Sequence, residues 1–257
     1  MSQDGPRTMA FRAGNLDYTW MVENNWLLEQ LKGEKVTAHH HFKKDNTNFY
    51  TLINHHTRTI YMNAHPDMDT PFKDERVRQA LDYCIDQEIL SKALYGDLGI
   101  PMVQGFNPKI SSWGFTDIQG RKRDIEKARA LLKEAGYPNG LDVSFKITPV
   151  WGKNDLRAQI IQQMAKPAGF RITITSQIGT QYSADFRTYT YHLMMQNLAQ
   201  EDPMNFHYNY LHTDPAEPYN GHAPRLGIQD AEMDRLLDEV AIETDPQQRR
   251  VIFKKVV

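Results

Sequence analysis

The chain has one cysteine, no long apolar run and no excess of charge of either sign among its 257 residues. A single cysteine excludes an intrachain disulfide, and no apolar run approaches the roughly 20 residues of a membrane-spanning helix. The formal net charge of −2 gives no basic field, so neither nucleic acid nor an anionic membrane is expected as a partner. The 40% apolar and 24% charged residues are typical of a globular protein with a substantial core.

The common sequence motifs of enzymes are also missing. The chain contains no GxxxxGK(S/T) phosphate loop, no GxGxxG, no HExxH and no GxSxG, which weakens the usual enzyme interpretations. Cys84 falls on the apolar face of a helix predicted to begin at Asp74, which favours a core position over a nucleophile. The missing motifs do not exclude rarer kinds of enzyme.

A run of histidines is the one feature that suggests a metal. It places His39 and His41 on one face of a predicted strand and His40 on the other. A His-x-His pair can bind a transition metal if the fold supplies a third ligand. The alternative is a polar strand face near the surface, which we favour, so no metal site is predicted.

The spacing of apolar residues predicts an α/β chain. Helices are expected at Leu16–Leu31, from Asp74, at Gln87–Tyr95, at 123–136, Asn154–Ala165, Gln181–Arg187 and Gln229–Ile242, and from Asp245. Strands are expected at Lys35–Phe42, Phe49–Ile53, Thr59–Asn63, Leu141–Ile147, Phe170–Thr175 and Tyr191–Asn197. The strand–helix–strand order from residue 141 to 175 predicts two parallel strands joined by a helical crossover.

The stretch QNLAQEDPMNF follows an apolar strand and contains adjacent acids. Asp202 followed by Pro203 is a good helix start, which gives Asp202 a structural role. In α/β sheets, ligands bind beyond the carboxyl ends of the strands. The polar side chains that remain are therefore predicted ligand contacts: Gln196, Asn197, Glu201 and Asn205.

Two tryptophans lie in or beside predicted loops. Trp113 falls in the long segment Gly99–Gly120, and Trp151 follows a predicted strand. An aromatic ring in such a place can stack on a sugar or on a peptide side chain. We add both to the predicted ligand-binding residues.

Five stretches together resemble the extracytoplasmic solute-binding proteins of ABC transporters, in the dipeptide, oligopeptide and nickel-binding family (bacterial family 5). The stretches are Phe11–Tyr18, Ile60–Leu90, Asp124–Gly140, Asp202–Phe206 and Ala231–Arg249. The second contains a strand that ends in Asn, then PF-x-D-x-x-VR-x-A. The third is similar to the family's D-x-x-KA-x-x-LL-x-x-AG helix. They occur in the family's order along nearly the whole chain, which makes the set far more specific than any one motif.

The resemblance implies a periplasmic-binding-protein-like α/β lobe (type II, large peptide-binder class) with a mixed sheet flanked by helices. Residues 1–60 would be the end of the first lobe and the hinge crossing, 61–226 the second lobe, and 227–257 the start of a return segment. The resemblance also implies a longer protein. It implies a protein that binds rather than catalyses: we expect a monomer without enzymatic activity or a cofactor that binds a peptide, an oligosaccharide or a chelate and delivers it to a membrane permease.

The same resemblance decides the expected location. The stretch MSQDGPRTMAFRAG has no apolar core of a signal peptide, so the residues alone would keep the chain in the cytoplasm. The resemblance overrides this, because a missing N-terminal part would carry the export signal. We expect the periplasm or the outer cell surface.

One position departs from the family's pattern. Many peptide-binding members hold the amino group of the peptide with an Asp four residues before the Pro of the DPMNF segment, where this chain has Ala199. The preceding Gly-Trp is replaced by Gln196 and Asn197. A buried ammonium group without a carboxylate is costly, so polyols, oligosaccharides, blocked peptides or a metal chelate become more plausible ligands, unless Glu201 substitutes.

Two other functions stay open from the sequence. One is a ligand-sensing module of a regulator built on this fold, which a DNA-binding segment in the full reading frame would favour. The other is an enzyme assisted by a metal at the histidines, which stoichiometric metal retained after dialysis would favour.

Overall fold

The computed structural model describes residues 4–19, 25–31, 40–44, 47–51, 56–96, 99–104, 114–149, 153–199, 203–213 and 226–257. The helices are α1 (Asp4–Arg12), α2 (Asn25–Leu31), α3 (Glu75–Cys84), α4 (Gln87–Tyr95), α5 (Ile125–Glu134), α6 (Asn154–Ala165), α7 (Gly179–Arg187), α8 (Pro203–Leu211), α9 (Ala231–Ile242) and α10 (Pro246–Val256). The strands are β1 (His40–Lys44), β2 (Thr47–Thr51), β3 (His56–Met62), β4 (Leu141–Ile147), β5 (Phe170–Ser176) and β6 (Leu193–Ala199).

Four strands form the main sheet, in the order β3-β6-β4-β5. β3 runs antiparallel to β6, whereas β6, β4 and β5 are parallel to one another. The β4–α6–β5 unit confirms the predicted crossover between parallel strands. β1 and β2 form a separate antiparallel pair.

Aspartates define where five helices begin. Asp74, Asp86, Asp124, Asp230 and Asp245 each accept a backbone N–H of the following turn with a side-chain oxygen. Such a cap satisfies a donor that the helix itself leaves unpaired. The predicted helix starts at Asp74 and Asp245 are confirmed for this reason, as is the start of the helix predicted at Gln87–Tyr95.

The prediction for the N-terminal helix was wrong in part. Residues 16–19 are not helical, and the described helix is α2, Asn25–Leu31, with an unpredicted helix α1 before it. Apolar residues recur through 16–31 at helical spacing, but spacing alone does not specify where a helix stops.

The two faces of the sheet have different coverings. Alternation along β4 sends Val143, Phe145 and Ile147 into the main core, where helices α3 to α6 cover them. On the opposite face, Met194 of β6 and Tyr61 of β3 pack into a smaller cluster with aromatic residues of α7 and α8. A mixed sheet flanked by helices is the predicted fold class, and it is confirmed.

Cys84 lies in the main core, as predicted. Its side chain is fully buried, and the thiol donates to the carbonyl oxygen of Ala80 at 3.1 Å. Burial raises the pKa of the thiol to about 12, so it stays protonated at neutral pH. A protonated, buried thiol is a poor nucleophile.

β6 begins at Leu193, two residues later than the predicted strand at Tyr191. The reason is that side chains make the hydrogen bonds that the two backbones would otherwise make with each other at this point. The backbone N–H of Ser144 donates to Nδ1 of His192 at 3.3 Å, and the N–H of His192 faces the Ser144 hydroxyl oxygen at 3.2 Å. The β4–β6 pairing therefore starts only at Phe145 opposite Leu193.

The bond from Ser144 requires a neutral His192, which predicts a pH dependence. Burial lowers the pKa of His192, and Asp69 offsets this only in part. The unfolded chain then binds the proton more readily, so the free energy of unfolding should fall as the pH drops through about 6.5. Urea unfolding at pH 7.5 and 5.5 measures this.

His192→Asn keeps an acceptor for Ser144 but has no titratable ring, so the variant should lose part of the pH dependence. His41→Asn is the control, because His41 is exposed on β1. An unchanged pH dependence in His192→Asn would contradict this account of the β6 start.

Candidate functional site

The carboxyl ends of three strands of the main sheet lie at one edge of the sheet. β4, β5 and β6 are parallel and β3 is antiparallel, so three carboxyl ends and the amino end of β3 meet there. The carboxyl edge of a parallel sheet is where α/β proteins bind ligands. We take this carboxyl edge as the candidate site.

Gln196 and Asn197 lie on β6 close to this edge, and both are half-buried. Alternation along the strand places them on opposite faces of the sheet. Nε2 of Gln196 lies 3.4 Å from the sulfur of Met194, in the smaller cluster. Oδ1 of Asn197 accepts a hydrogen bond from Nη1 of Arg58 on β3.

The other predicted contacts are not described. Trp113, Trp151 and Glu201 lie outside the described residues, as does the side chain of Asn205, whose backbone is in the first turn of α8. Ala199 is the last residue of β6 and pairs with His56. The ligand-binding roles of all six predicted residues stay predictions.

Arg58 is the residue that the sequence did not reveal. It is 139 residues from Asn197 in the chain, yet the antiparallel register of β3 and β6 puts the two directly opposite each other. Side chains opposite each other in such a pair share a face and interact. Register depends on tertiary packing, so no local signal in the sequence could have identified this pair.

A second polar group lies at the start of α6, on the main-core side. Asn154 donates to the Thr148 carbonyl oxygen at 2.9 Å and accepts from Nη1 of Arg157 at 2.7 Å. The Arg157 guanidinium also lies 5.8 Å from the ring centre of Tyr95. Arg157 is only 3% exposed, so these contacts hold its charge in a fixed place behind the carboxyl edge.

On the opposite face, a buried ion pair holds α7 against the sheet. Nζ of Lys146 on β4 lies 2.6 Å from Oδ2 of Asp185 on α7. Gln177 and Gln181 donate to the same carboxylate at 2.8 and 2.7 Å. Burial by itself raises the pKa of Asp185, but these hydrogen bonds hold it below its usual value, so the carboxylate is ionised.

The histidine run shows no metal site in the part that is described. His39 is outside it, and His41 is exposed, with its ring stacked on Tyr50 at 4.6 Å between centroids. Among the described residues, no group of three His, Cys, Asp or Glu side chains is placed to hold a metal ion. In the same ranges, no helix has the length and apolar character needed to cross a bilayer.

The fold and its carboxyl edge define one class of protein, the periplasmic-binding-protein-like α/β lobe. The chain belongs to the bacterial extracellular solute-binding proteins of family 5, whose model for the middle part of these proteins matches residues 1–218. The resemblance found in the sequence is thereby confirmed.

Solved structures show the same fold. An ABC transporter-associated periplasmic binding protein from Helicobacter pylori, in complex with the peptide STSA, matches with a TM-score of 0.80 at 21% identity, covering 100% of this chain and 47% of that one. NikA from Staphylococcus aureus in complex with Ni(L-His)2 matches with a TM-score of 0.76 at 19% identity, covering 100% and 51%.

Curated relatives include proteins with different printed ligands. Heme-binding protein A of Haemophilus influenzae is 28% identical over 197 residues, covering 72% of this chain and 34% of that protein. The dipeptide-binding protein of Escherichia coli is 32% identical over 111 residues, covering 43% and 20%. The matched regions thus span about a third or less of these two relatives.

Proposed function

We propose that this chain is part of the solute-binding component of an ABC importer and covers mainly its second lobe. The protein would capture a peptide-like or other polar solute between two lobes and deliver it to a membrane permease. The family match over residues 1–218 is the observation that carries this proposal. A protein of this kind works outside the cytoplasmic membrane, in the periplasm or at the cell surface, as a monomer and without bond-making chemistry.

The proposed division of the chain follows the sequence. Residues 1–60 would belong to the end of the first lobe and the hinge crossing, 61–226 to the second lobe, and 227–257 to a return segment. A ligand that contacts both lobes stabilises the closed state, because only that state offers both sets of contacts. The carboxyl edge would supply the contacts of the second lobe.

The proposed ligand is polar, and Ala199 makes a ligand without a free ammonium group the more plausible one. This position closes β6 at the carboxyl edge without a carboxylate. A blocked peptide, a polyol, an oligosaccharide or a metal chelate fits such an edge better than a ligand with a free ammonium group there. The alternative is that Glu201 supplies the missing carboxylate and the ligand has a free ammonium group. In that case Glu201→Gln should weaken ligand binding, whereas a ligand without an ammonium group should bind the variant as well as the unmodified protein.

Native mass spectrometry of the full-length protein tests the proposal. We expect a co-purified small solute at one copy per protein, released by mild denaturation. The cognate ABC permease should be stimulated by the loaded protein in proteoliposomes. Absence of any bound solute together with a failure to stimulate the permease would contradict the proposal.

The isolated chain should bind the same solute weakly. Loss of the contacts of the other lobe should weaken binding at least about tenfold, since 1.4 kcal/mol corresponds to a factor of ten. Isothermal titration of the 257-residue chain against the full-length protein measures the ratio. Equal affinity would show that this chain holds the whole site.

A further inference from the structure

A basic patch of three exposed side chains lies where the end of α3 meets the start of α5. Its members are Lys122, Arg123 and Lys127. The backbone N–H of Asp124 donates to the carbonyl oxygen of Tyr83 at 2.8 Å, and Nε of Arg123 donates to that of Cys84 at 3.1 Å. Nζ of Lys127 lies 5.8 Å from the ring centre of Tyr83. These contacts attach the basic patch to the end of α3.

The carboxylates nearest to the basic patch are engaged in other contacts. Asp82 and Glu126 pair with arginines outside the patch, at 2.8 and 2.6 Å. Asp124 caps α5 and accepts the backbone N–H of Lys127 at 2.9 Å. Within the described ranges, no carboxylate forms an ion pair with any of the three cations. The patch is therefore a local positive surface on a chain whose formal net charge is −2.

Aromatic and apolar groups lie beside the charges. Tyr83 is half-buried, and Val103 is 43% exposed. Val103 packs tightly against the chain just before the patch, since a Cβ at Gly120 would lie 2.4 Å from its Cγ1. An apolar centre with a charged rim is the usual composition of a protein–protein interface. This composition favours a protein surface over a free ion as the partner.

The basic patch lies towards the end of the sheet that holds the carboxyl edge. A short turn leads from Glu134, the last residue of α5, to the amino end of β4. Nη1 of Arg76 in the first turn of α3 donates to the carbonyl oxygen of Glu134, so α3 and α5 run antiparallel. The first turn of α5 therefore points away from the amino ends of the strands. A surface at this end can contact a membrane protein that receives a solute from the carboxyl edge.

We propose that the basic patch binds an acidic segment on the outer face of the membrane permease and orients the carboxyl edge towards it. This inference rests on the proposed function as part of an ABC importer. Complementary charges at the rim of an interface act mainly on the rate of encounter and are screened by salt. The contribution of the patch should therefore depend on ionic strength.

ATP hydrolysis by the cognate permease in proteoliposomes tests the inference. The full-length protein is added with its co-purified solute, and the concentration for half-maximal stimulation is measured. The double variant Lys122→Glu, Lys127→Glu should raise this concentration at least about tenfold at low salt. The difference should shrink at about 0.5 M salt, where screening is strong. Glutamate suits position 127, the third residue of α5 after its cap, so the fold should be kept.

The double variant Lys133→Glu, Lys166→Glu is the matched control. It changes the net charge equally, and both lysines are exposed. Lys133 lies near the end of α5, and Lys166 lies shortly before β5, so the control alters the side of the amino ends. It should leave the half-maximal concentration unchanged. Circular dichroism and the amount of co-purified solute check the fold and the solute binding of each variant.

The outcomes separate this inference from the proposed function. An equal shift in both double variants, or a shift in neither, overturns the role of the basic patch and leaves solute binding standing. Sedimentation with anionic lipid vesicles that lack the permease, lost in the patch variant, would assign the patch to lipid and overturn the acidic protein partner. If the unmodified protein carries no solute and does not stimulate the permease, the proposed function fails and this inference fails with it.

Discussion

Replacing Lys146 with methionine should lower the free energy of unfolding by about 3–5 kcal/mol, because it leaves a buried carboxylate without its cation. The side chains of Lys146 and Asp185 are only 18% and 9% exposed, and their charged atoms are 2.6 Å apart. Gln177 and Gln181 would still donate to Asp185 but carry no charge. Urea unfolding at neutral pH, followed by circular dichroism, measures the change.

Two controls make this prediction specific. Arg171→Met breaks the Asp142 pair, whose side chains are 53% and 80% exposed, and should change stability far less than Lys146→Met because exposed pairs contribute little. The double variant Lys146→Met, Asp185→Leu should recover much of the loss, since no charge is then buried alone. A loss below about 1 kcal/mol for Lys146→Met would contradict the account of this pair.

The same pair predicts how stability changes in acid. The pKa of Asp185 is lowered in the folded protein, so its contribution is complete above the unfolded value of about 4 and is lost as the pH falls through the folded value. The unmodified protein should therefore lose stability in that acidic range. Asp185→Asn should lose less over the same range, and an equal loss would argue against ionised Asp185 as the cause.

Asn63→Leu should lower the free energy of unfolding by about 2–4 kcal/mol, because it removes three hydrogen bonds between a buried side chain and the backbone. Nδ2 of Asn63 donates to the carbonyl oxygens of Tyr189 and Tyr191 at 2.8 and 2.9 Å. Its Oδ1 accepts from the N–H of His65 at 3.0 Å. Asn63 is 1% exposed, so water cannot replace these bonds without opening the structure.

Tyr189 adds a second reason for this effect. It has φ of 56°, a left-handed conformation that is unfavourable for a bulky residue, and its carbonyl is one of the groups that Asn63 holds. Asn48→Leu, at an exposed position of β2, is the control and should change stability by no more than about 0.5 kcal/mol. If both substitutions had equally small effects, the three bonds of Asn63 would not stabilise the fold as argued.

Asn63 also explains part of the sequence resemblance in physical terms. It is the Asn that ends the predicted strand before PF-x-D-x-x-VR, and it ties the end of β3 to the turn before β6. Asp74 in the same motif caps α3. Each of these two residues thus provides hydrogen-bond partners for backbone groups that the regular secondary structure leaves unpaired.

Local signals predicted much of the secondary structure. Gln87–Tyr95, Leu141–Ile147 and Asn154–Ala165 begin and end as predicted, because caps, turn residues and alternation act within a few residues. The helix predicted at Leu16–Leu31 was wrong at residues 16–19, and β6 begins two residues late. In the second case the side chain of His192, directly before β6, accepts a hydrogen bond from the backbone of β4 in place of a strand-to-strand bond. The alternation of apolar residues cannot reveal such a side-chain bond.

Local signals also predicted some residues of the candidate site and missed others. The position of Gln196 and Asn197 near the end of a strand could be predicted, because it depends on one apolar run and the polar stretch after it. Arg58 could not, because its partner is distant in the chain and is brought opposite only by the register of β3 and β6. The contribution of Glu201, Asn205, Trp113 and Trp151 stays a prediction.

The sequence by itself determined the α/β class, the family, the core position of Cys84 and most helix starts, since these depend on composition, short motifs and contacts within one turn. Only the tertiary structure decided the strand order β3-β6-β4-β5, the pairing of Arg58 with Asn197, and the burial of Lys146 with Asp185. Each of these joins residues from separate elements. Their proximity is set by how the elements pack around a shared core, so it cannot be predicted from residues that are neighbours in the sequence.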